Sequence, residues 1–136
     1  MAIGLTKLSN QAIETSESVA AAAIEWASDT GGTVLDAGSG ERFISVNLQI
    51  SVDFSATATG DAIVHLRKSA DDGTTEDTEG TTTAVLTIAC SAGNTVTRTI
   101  PVFDFDYLDV GIENEDSSYA LTWSGIYEGI KYTGLS

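Results

Sequence analysis

The sequence predicts an all-β protein, a single antiparallel β-sandwich or jelly roll with an irregular N-terminal arm. Two observations predict it: apolar and polar residues alternate over several stretches, and short segments rich in Gly, Asn, Asp and Ser separate these stretches. Hydrophobic residues make up 42% of the 136 residues, enough for a core despite a net charge of −14. We predict one domain, with an N-terminal arm and first edge element over 1–42 and the sandwich body over 43–136.

The clearest strand signal is FISVNLQISVDF at 43–54, where apolar side chains recur at every second position. This period predicts a strand with one buried and one wet face. A second strand is predicted at 62–68, where Ala62, Val64 and Leu66 share a face. The small polar segment between them, 55–60, predicts a turn that joins the two strands into an antiparallel hairpin.

Four more strands are predicted towards the C-terminus, at 82–90, 95–103, 106–114 and 118–135. Pro101 has no amide hydrogen, so it predicts a sheet edge or a strand end. In the last strand the apolar register changes near Ser124, which predicts a bulge or bend there.

The N-terminal segment QAIETSESVAAAAIEWAS is less regular. Its alanines and acids are compatible with a helical turn, whereas VAAAAIEW is equally compatible with an edge strand. The sequence leaves both alternatives open.

The charge balance limits the partners. With 20 acidic and 6 basic residues, the chain repels phosphate, so we expect neither nucleic acid nor an anionic membrane as a partner. No apolar run approaches the ~20 residues of a membrane span, and MAIGLTKLSN lacks a basic head followed by an apolar stretch. We therefore expect a soluble intracellular product, or one released by a route other than secretion.

The residues needed for familiar catalysis are scarce. The single histidine, His65, lies mid-strand, and the single cysteine, Cys90, ends an apolar strand face, where thiols usually pack. One residue of each type is too few for a zinc site within one chain. Two carboxylates suffice for glycoside hydrolysis, but no pair stands out. We expect a protein that is not an enzyme and has no cofactor.

The acidic run SADDGTTEDTEG has two interpretations, a solvated hairpin tip or a calcium loop. Counted from Asp71, the third position is Gly73 and the sixth is Glu76, which fails the EF-hand spacing. We therefore predict no metal site and keep a non-EF calcium loop as the alternative. Its ligands would be Asp71, Asp72, Glu76, Asp77 and Glu79. The same two interpretations apply to Glu113, Glu115 and Asp116.

Aromatic residues are concentrated near the C-terminus, at Phe103, Phe105, Tyr107, Tyr119, Trp123, Tyr127 and Tyr132. They predict core and oligomer-interface contacts, with a sugar-stacking face as the alternative. Trp26 stands apart in the N-terminal arm and is predicted to pack onto a neighbouring chain. The interface candidates are Trp26, Trp123, Tyr127 and Tyr132.

Three segments resemble small β-sandwich virion proteins of tailed bacteriophages: an SxDDGT turn (69–74), YxxVGxxNxD (107–116) and GxYxGxKY (125–132). The likeness covers about 60–136. It implies a virion structural protein that assembles in the host cytoplasm, such as a capsid decoration or cement protein on the major capsid lattice. It also leaves open a tail, baseplate or fibre component.

The resemblance implies other virion proteins as partners, and a homo-oligomer, for which we favour a trimer. Two other classes remain open on the residues alone. One is a carbohydrate-binding module, which the aromatic strands and acidic loops suggest. The other is a hydrolase with two catalytic acids.

Overall fold

The computed structural model describes residues 3–38, 40–69 and 83–135. Within these ranges the chain forms strands and one short 3-10 turn, Ala27–Asp29. The strands are β1 (Ile3–Val19), β2 (Ile24–Trp26), β3 (Leu35–Asp36), β4 (Arg42–Phe54), β5 (Ala62–Ser69), β6 (Thr83–Ile88), β7 (Thr95–Phe105), β8 (Tyr107–Asn114) and β9 (Leu121–Leu135).

The strands form two antiparallel sheets that pack face to face. The first sheet has the order β1-β9-β4-β7, and the second has the order β2-β8-β5-β6, with β3 also paired to β8. The predicted all-β sandwich is therefore confirmed.

The core lies between the two sheets and follows from the alternation seen in the sequence. From β4, Val46, Leu48 and Ile50 point inward, and they belong to the same buried cluster as Val64 of β5 and Val110 of β8. Each side chain of this kind contributes about 1.5–3 kcal/mol when it leaves water. The polar residues between them on β4 face solvent, as the period of two predicts.

The predicted hairpin between β4 and β5 is wrong. Strand β4 pairs with β7 and β9, whereas β5 pairs with β6 and β8. The segment 55–60 crosses from one sheet to the other, and Gly60 lies so close to the chain at Asp116 that a Cβ would come within 2.3 Å of the Asp116 nitrogen. Alternation identifies a strand but carries no information about its neighbour.

The hairpin of β5 and β6 is present, with an antiparallel register from Ala62 to Leu66. The acidic run that joins these strands lies outside the described residues.

The irregularity predicted near Ser124 is found on one side of β9 only. The register between β4 and β9 is unbroken from the pair Ser45 and Ile130 to the pair Phe54 and Leu121, whereas the register with β1 shifts on both sides of the pair Glu14 and Gly125. Gly125 occupies an inward position without a side chain, and its space is filled by Trp123, Ile50 and Ile13. The apparent shift arises because Ile126 and Ile130 lie on the outer, solvent-facing side of β9.

The first part of the predicted N-terminal arm is a long edge strand. Strand β1 pairs with β9 along its whole length, so residues 11–19 are not helical. Four register shifts interrupt the pairing, and Asn10 and Ser16 adopt positive φ angles of 51° and 47°. Such bulges protect an edge from pairing with another strand. Strand β7 forms the opposite edge, where Pro101 was predicted to lie.

Candidate functional site

The acidic residues Glu113, Glu115 and Asp116 make contacts within the protein, and Asp116 stabilises the fold. Asp116 is 2% exposed, and its carboxylate accepts hydrogen bonds from the backbone amides of Thr59 (2.7 Å), Gly60 (3.0 Å), Ser118 (2.9 Å) and Tyr119 (3.0 Å). The Thr59 amide contributes most to holding the pKa of Asp116 well below its usual value, while burial acts in the opposite sense. The carboxylate thus ties the crossover 55–60 to the turn after β8.

Asn114 completes this anchor. Its buried side-chain amide donates to the carbonyls of Val19 (3.2 Å), Ala20 (3.3 Å) and Tyr119 (2.9 Å), and its oxygen accepts from the Asp116 amide (3.0 Å). The Asn-x-Asp pair of the YxxVGxxNxD segment therefore joins three parts of the chain. Of the other two acids in the group, Glu113 contacts His65 at 2.8 Å, while the Glu115 amide donates to the Asp61 carbonyl at 2.9 Å.

A second polar network holds the N-terminal segment onto the second sheet. The carboxylate of Asp109 is fully buried and accepts hydrogen bonds from Arg67 (Nη2, 2.7 Å) and from the hydroxyl of Ser28 (2.5 Å). The Arg67 guanidinium also lies 4.1 Å from the ring centroid of Trp26. A carboxylate that is buried as fully as that of Asp109 needs a paired opposite charge, and the Arg67 guanidinium supplies it.

Trp26 is buried within its own chain, which corrects the prediction that it packs onto a neighbour. It is 3% exposed, because its ring is covered by Arg67, meets the edge of His65 and lies against Gly111. Trp123 and Tyr127 are likewise buried in the core, and Tyr132 is half-buried at the end of β9.

Phe103 is a strongly exposed aromatic residue, with 61% of its surface accessible to solvent. The sequence identified it only as one of the seven aromatic residues near the C-terminus. Its signal was available, because Ile100 and Val102 point inward and alternation therefore places Phe103 on the outer side of β7, next to Pro101. The alternation breaks after Phe103, at Asp104, which has a φ of 55°, so Phe105 points inward.

No group of three or more His, Cys, Asp or Glu residues within the described ranges is placed to bind a metal ion. The five acids of the alternative calcium loop lie outside these ranges. Cys90 is partly buried against the core.

An apolar groove runs along the open side of the sandwich, between the edge strands β6 and β7, with a volume of about 450 Å³. We call it the edge groove. It is lined by Leu66, Lys68, Val85, Ile100, Pro101, Val102 and Phe103. Within residues 3–38, 40–69 and 83–135, no acidic residue is part of this lining.

A second concavity of about 180 Å³ lies on the outer face of the first sheet, where β1, β9, β4 and β7 present their solvent-facing side chains. We call it the amide trough. It is lined by Asn10, Asn47, Gln49, Thr99, Ile126, Tyr127 and Glu128. Neither concavity was predicted, because each combines residues from strands whose order the sequence did not reveal.

Comparison with known proteins gives little. No known family model matches the chain, and no curated protein matches it in sequence. Among solved structures, a chain described as "nora virus structure" is similar with a TM-score of 0.39 and 17% identity, over 99% of this chain and 57% of that one. Among the described residues, no helix is long and apolar enough to cross a membrane.

Proposed function

We propose that the chain is a non-enzymatic virion structural protein, specifically a capsid decoration or cement protein that binds the major capsid lattice. The observation that carries the proposal is the edge groove, an apolar surface in a strongly acidic molecule. Two further features support the proposal: the role of the motif residues, and strands β6 and β7 beside the groove, which are sheet edges in the part of the chain that the structure describes.

The groove has the composition of a protein contact. Its floor is formed by Leu66, Ile100 and Val102, which are nearly buried, while Phe103 (61%) and Val85 (37%) expose apolar surface at its rims. Exposed apolar surface of this kind in a polar surround marks binding sites. The flanking strands β6 and β7 are sheet edges, which can pair with an extended segment of another protein.

The charge distribution favours a protein partner at this place. The chain carries a net charge of −14, yet among the residues that the structure describes, Lys68 is the one ionisable residue in the groove lining. An apolar or acidic segment of a neighbouring protein therefore meets no acidic side chain in this described lining. We propose that such a segment belongs to the capsid lattice and that the chain binds it as a symmetric oligomer, with a trimer as the preferred state.

The residues that carry the likeness to phage virion proteins hold the fold. Asn114 and Asp116 anchor loops, Gly111 makes room for Trp26, and Gly129 lies against Ser45 and Val46, where a Cβ would come within 2.4 Å of a backbone oxygen. Shared motifs that stabilise the fold are expected in a protein whose function is to assemble with other proteins. The shared motifs of an enzyme family would instead include reactive side chains.

The proposal is tested by binding the purified chain to particles of the virus that encodes it. We expect Phe103→Ser to weaken binding about tenfold or more, because Phe103 becomes buried against the partner in the complex and the variant loses this aromatic anchor. Ile126→Ser is the matched control, since Ile126 is also exposed and apolar but lies outside the edge groove. Absence of the chain from purified particles, or equal binding by the Phe103→Ser variant, would overturn the proposal.

A location on the tail, baseplate or fibre is the alternative within the same class. Labelled chain visualised on intact particles distinguishes the two: a lattice of label over the head supports the decoration role, and label confined to the tail excludes it.

A further inference from the structure

We propose that strand β1 is exchanged between copies of this chain, so that β1 of one copy pairs with β9 of another copy. The inference rests on the oligomer part of the proposed function and deepens it, because it names the element that joins the copies. The exchange leaves the edge groove free, since β1 and β7 lie at opposite edges of the first sheet.

The position of β1 in the fold allows the exchange. Strand β1 lies at a sheet edge, and among the described residues it pairs with β9 alone. It is joined to the rest of the described fold by one connection, residues 20–23. A second copy presents the same β9 edge, so the pairing that is lost within one chain is regained in full between two chains.

The connection from β1 to β2 is built from residues that disfavour a tight turn. It consists of four consecutive alanines, 20–23, and it carries the chain from the first sheet to the second. Ala22 has a φ of 58°, in the left-handed region that is costly for a residue with a Cβ and easy for glycine. An extended hinge returns Ala22 to the favourable β region, so the exchange releases backbone strain.

The turn is held by hydrogen bonds that water can replace. The Ala23 amide donates to the Ala20 carbonyl at 3.2 Å, and the Ala22 amide donates to the Asp116 carbonyl at 2.8 Å. Ala20 and Ala22 are exposed, so solvent reaches their backbone groups when the turn opens. Bonds of this kind contribute little net stability, because water takes the place of the lost partner.

The contacts of β1 with the rest of the fold select another copy of this chain as the partner. Ile13 and Val19 are buried in the core, and the buried Glu14 accepts a hydrogen bond from the Thr30 hydroxyl at 2.6 Å. The Ile13 carbonyl also accepts one from the Thr33 amide at 2.7 Å. These contacts fix one register of β1, and each of them re-forms when β1 comes from a second copy.

The bulges of β1 favour exchange over simple edge-to-edge pairing. Four register shifts interrupt the strand, and Asn10 and Ser16 adopt positive φ angles. An irregular edge of this kind pairs poorly with a further strand. Two copies therefore associate more favourably when they exchange β1 than when they place their β1 edges side by side.

The test uses the intact chain with Cys90→Ser, which removes its single thiol, and with the cysteine pair Ser18→Cys and Thr122→Cys. Positions 18 and 122 are partners in the register between β1 and β9, and neither residue is buried. Partners in an antiparallel ladder have Cα atoms about 4.5–5.5 Å apart, within the range of a disulfide bond. After mild oxidation, denaturing gel electrophoresis without reductant shows which chains the bond joins.

We expect covalently linked dimers or larger species that a reductant converts to monomers. Monomers alone, whether their thiols have reacted or remain free, overturn the proposal. The control carries Cys90→Ser and Ser18→Cys without the cysteine at position 122. An equal yield of linked dimers from this control also overturns the proposal, because the bond would then join two β1 strands.

A second measurement tests the hinge, by analytical ultracentrifugation of purified variants. We expect Ala22→Gly to raise the dissociation constant of the oligomer roughly five- to thirtyfold for each hinge, because glycine relieves the strain of the closed turn. Ser16→Gly is the matched control: it relieves a positive φ within β1 that the exchange leaves unchanged. Association of Ala22→Gly as tight as that of the wild type, or equal weakening by Ser16→Gly, overturns the proposal.

Both measurements use the purified chain without particles. Failure of the exchange is therefore distinguishable from failure of the capsid contact, which the Phe103→Ser variant tests on particles.

Discussion

The indole of Trp26 lies directly against the backbone of Gly111, its partner in the register between β2 and β8. A Cβ on Gly111 would come within 2.7 Å of the indole carbon Cε3. The Arg67 guanidinium covers the Trp26 ring at 4.1 Å from its centroid. This arrangement fastens the N-terminal segment to the second sheet, and it requires glycine at position 111.

Gly111→Ala is therefore expected to destabilise the fold by about 1–3 kcal/mol, the usual cost of an added methyl group in a packed site. Urea unfolding measures it. In a Trp26→Leu background the same substitution should cost much less, because the ring that it meets is gone. A cost that is equal in both backgrounds would show that Trp26 does not make the contact.

Arg67→Met is expected to destabilise the chain by about 3–5 kcal/mol, because it leaves the carboxylate of Asp109 buried without its charged partner. The control is Arg42→Met, which breaks an exposed pair with Asp104 and should cost at most about 1 kcal/mol. Equal urea midpoints for the two variants would contradict the burial argument.

Asp116→Asn is expected to be less stable than the wild type at pH 7, with a difference that shrinks in acid. The folded-state pKa of Asp116 is lowered, so its contribution is fully present above the unfolded pKa of about 3.9 and is lost as the pH falls through the folded pKa. Thermal unfolding of both proteins between pH 7 and pH 2 measures the difference. A difference that is independent of pH would mean that the charge of Asp116 is unimportant.

Calcium is expected to leave the melting temperature unchanged. Among the described acids, the oxygens of Asp116 and Asp109 already accept hydrogen bonds from protein donors. Differential scanning calorimetry with calcium and with a chelator tests this. This expectation would be contradicted if micromolar calcium raised the melting temperature and the increase disappeared when the five acids of the alternative calcium loop were replaced by amides. Those acids are Asp71, Asp72, Glu76, Asp77 and Glu79.

The fold class was predictable because a buried sheet face imposes a period of two on the sequence. Val46, Leu48 and Ile50 show this directly, and all three are in the core. The pairing of β4 was not predictable, because its partners β7 and β9 are distant in sequence and no local turn specifies them.

The edge groove and the amide trough could not be predicted from the sequence, for a related reason. The change of apolar register near Ser124 comes from Ile126, an apolar residue on the solvent side of β9, and such a residue breaks the alternation from which strand faces are predicted. Asn47 and Gln49 appeared as ordinary solvent-facing residues of β4. Their convergence with Asn10 and Glu128 depends on strand order and on the bulge in β1.

The central claim is that the chain is a virion component whose edge groove contacts the capsid lattice. A cryo-electron microscopy map of the whole particle tests it most directly. If the chain is a decoration protein, the map contains repeated density for it on the head, with a segment of a neighbouring protein in contact with Phe103 and Val85. A map without the chain, or one in which the edge groove faces solvent, would contradict this role.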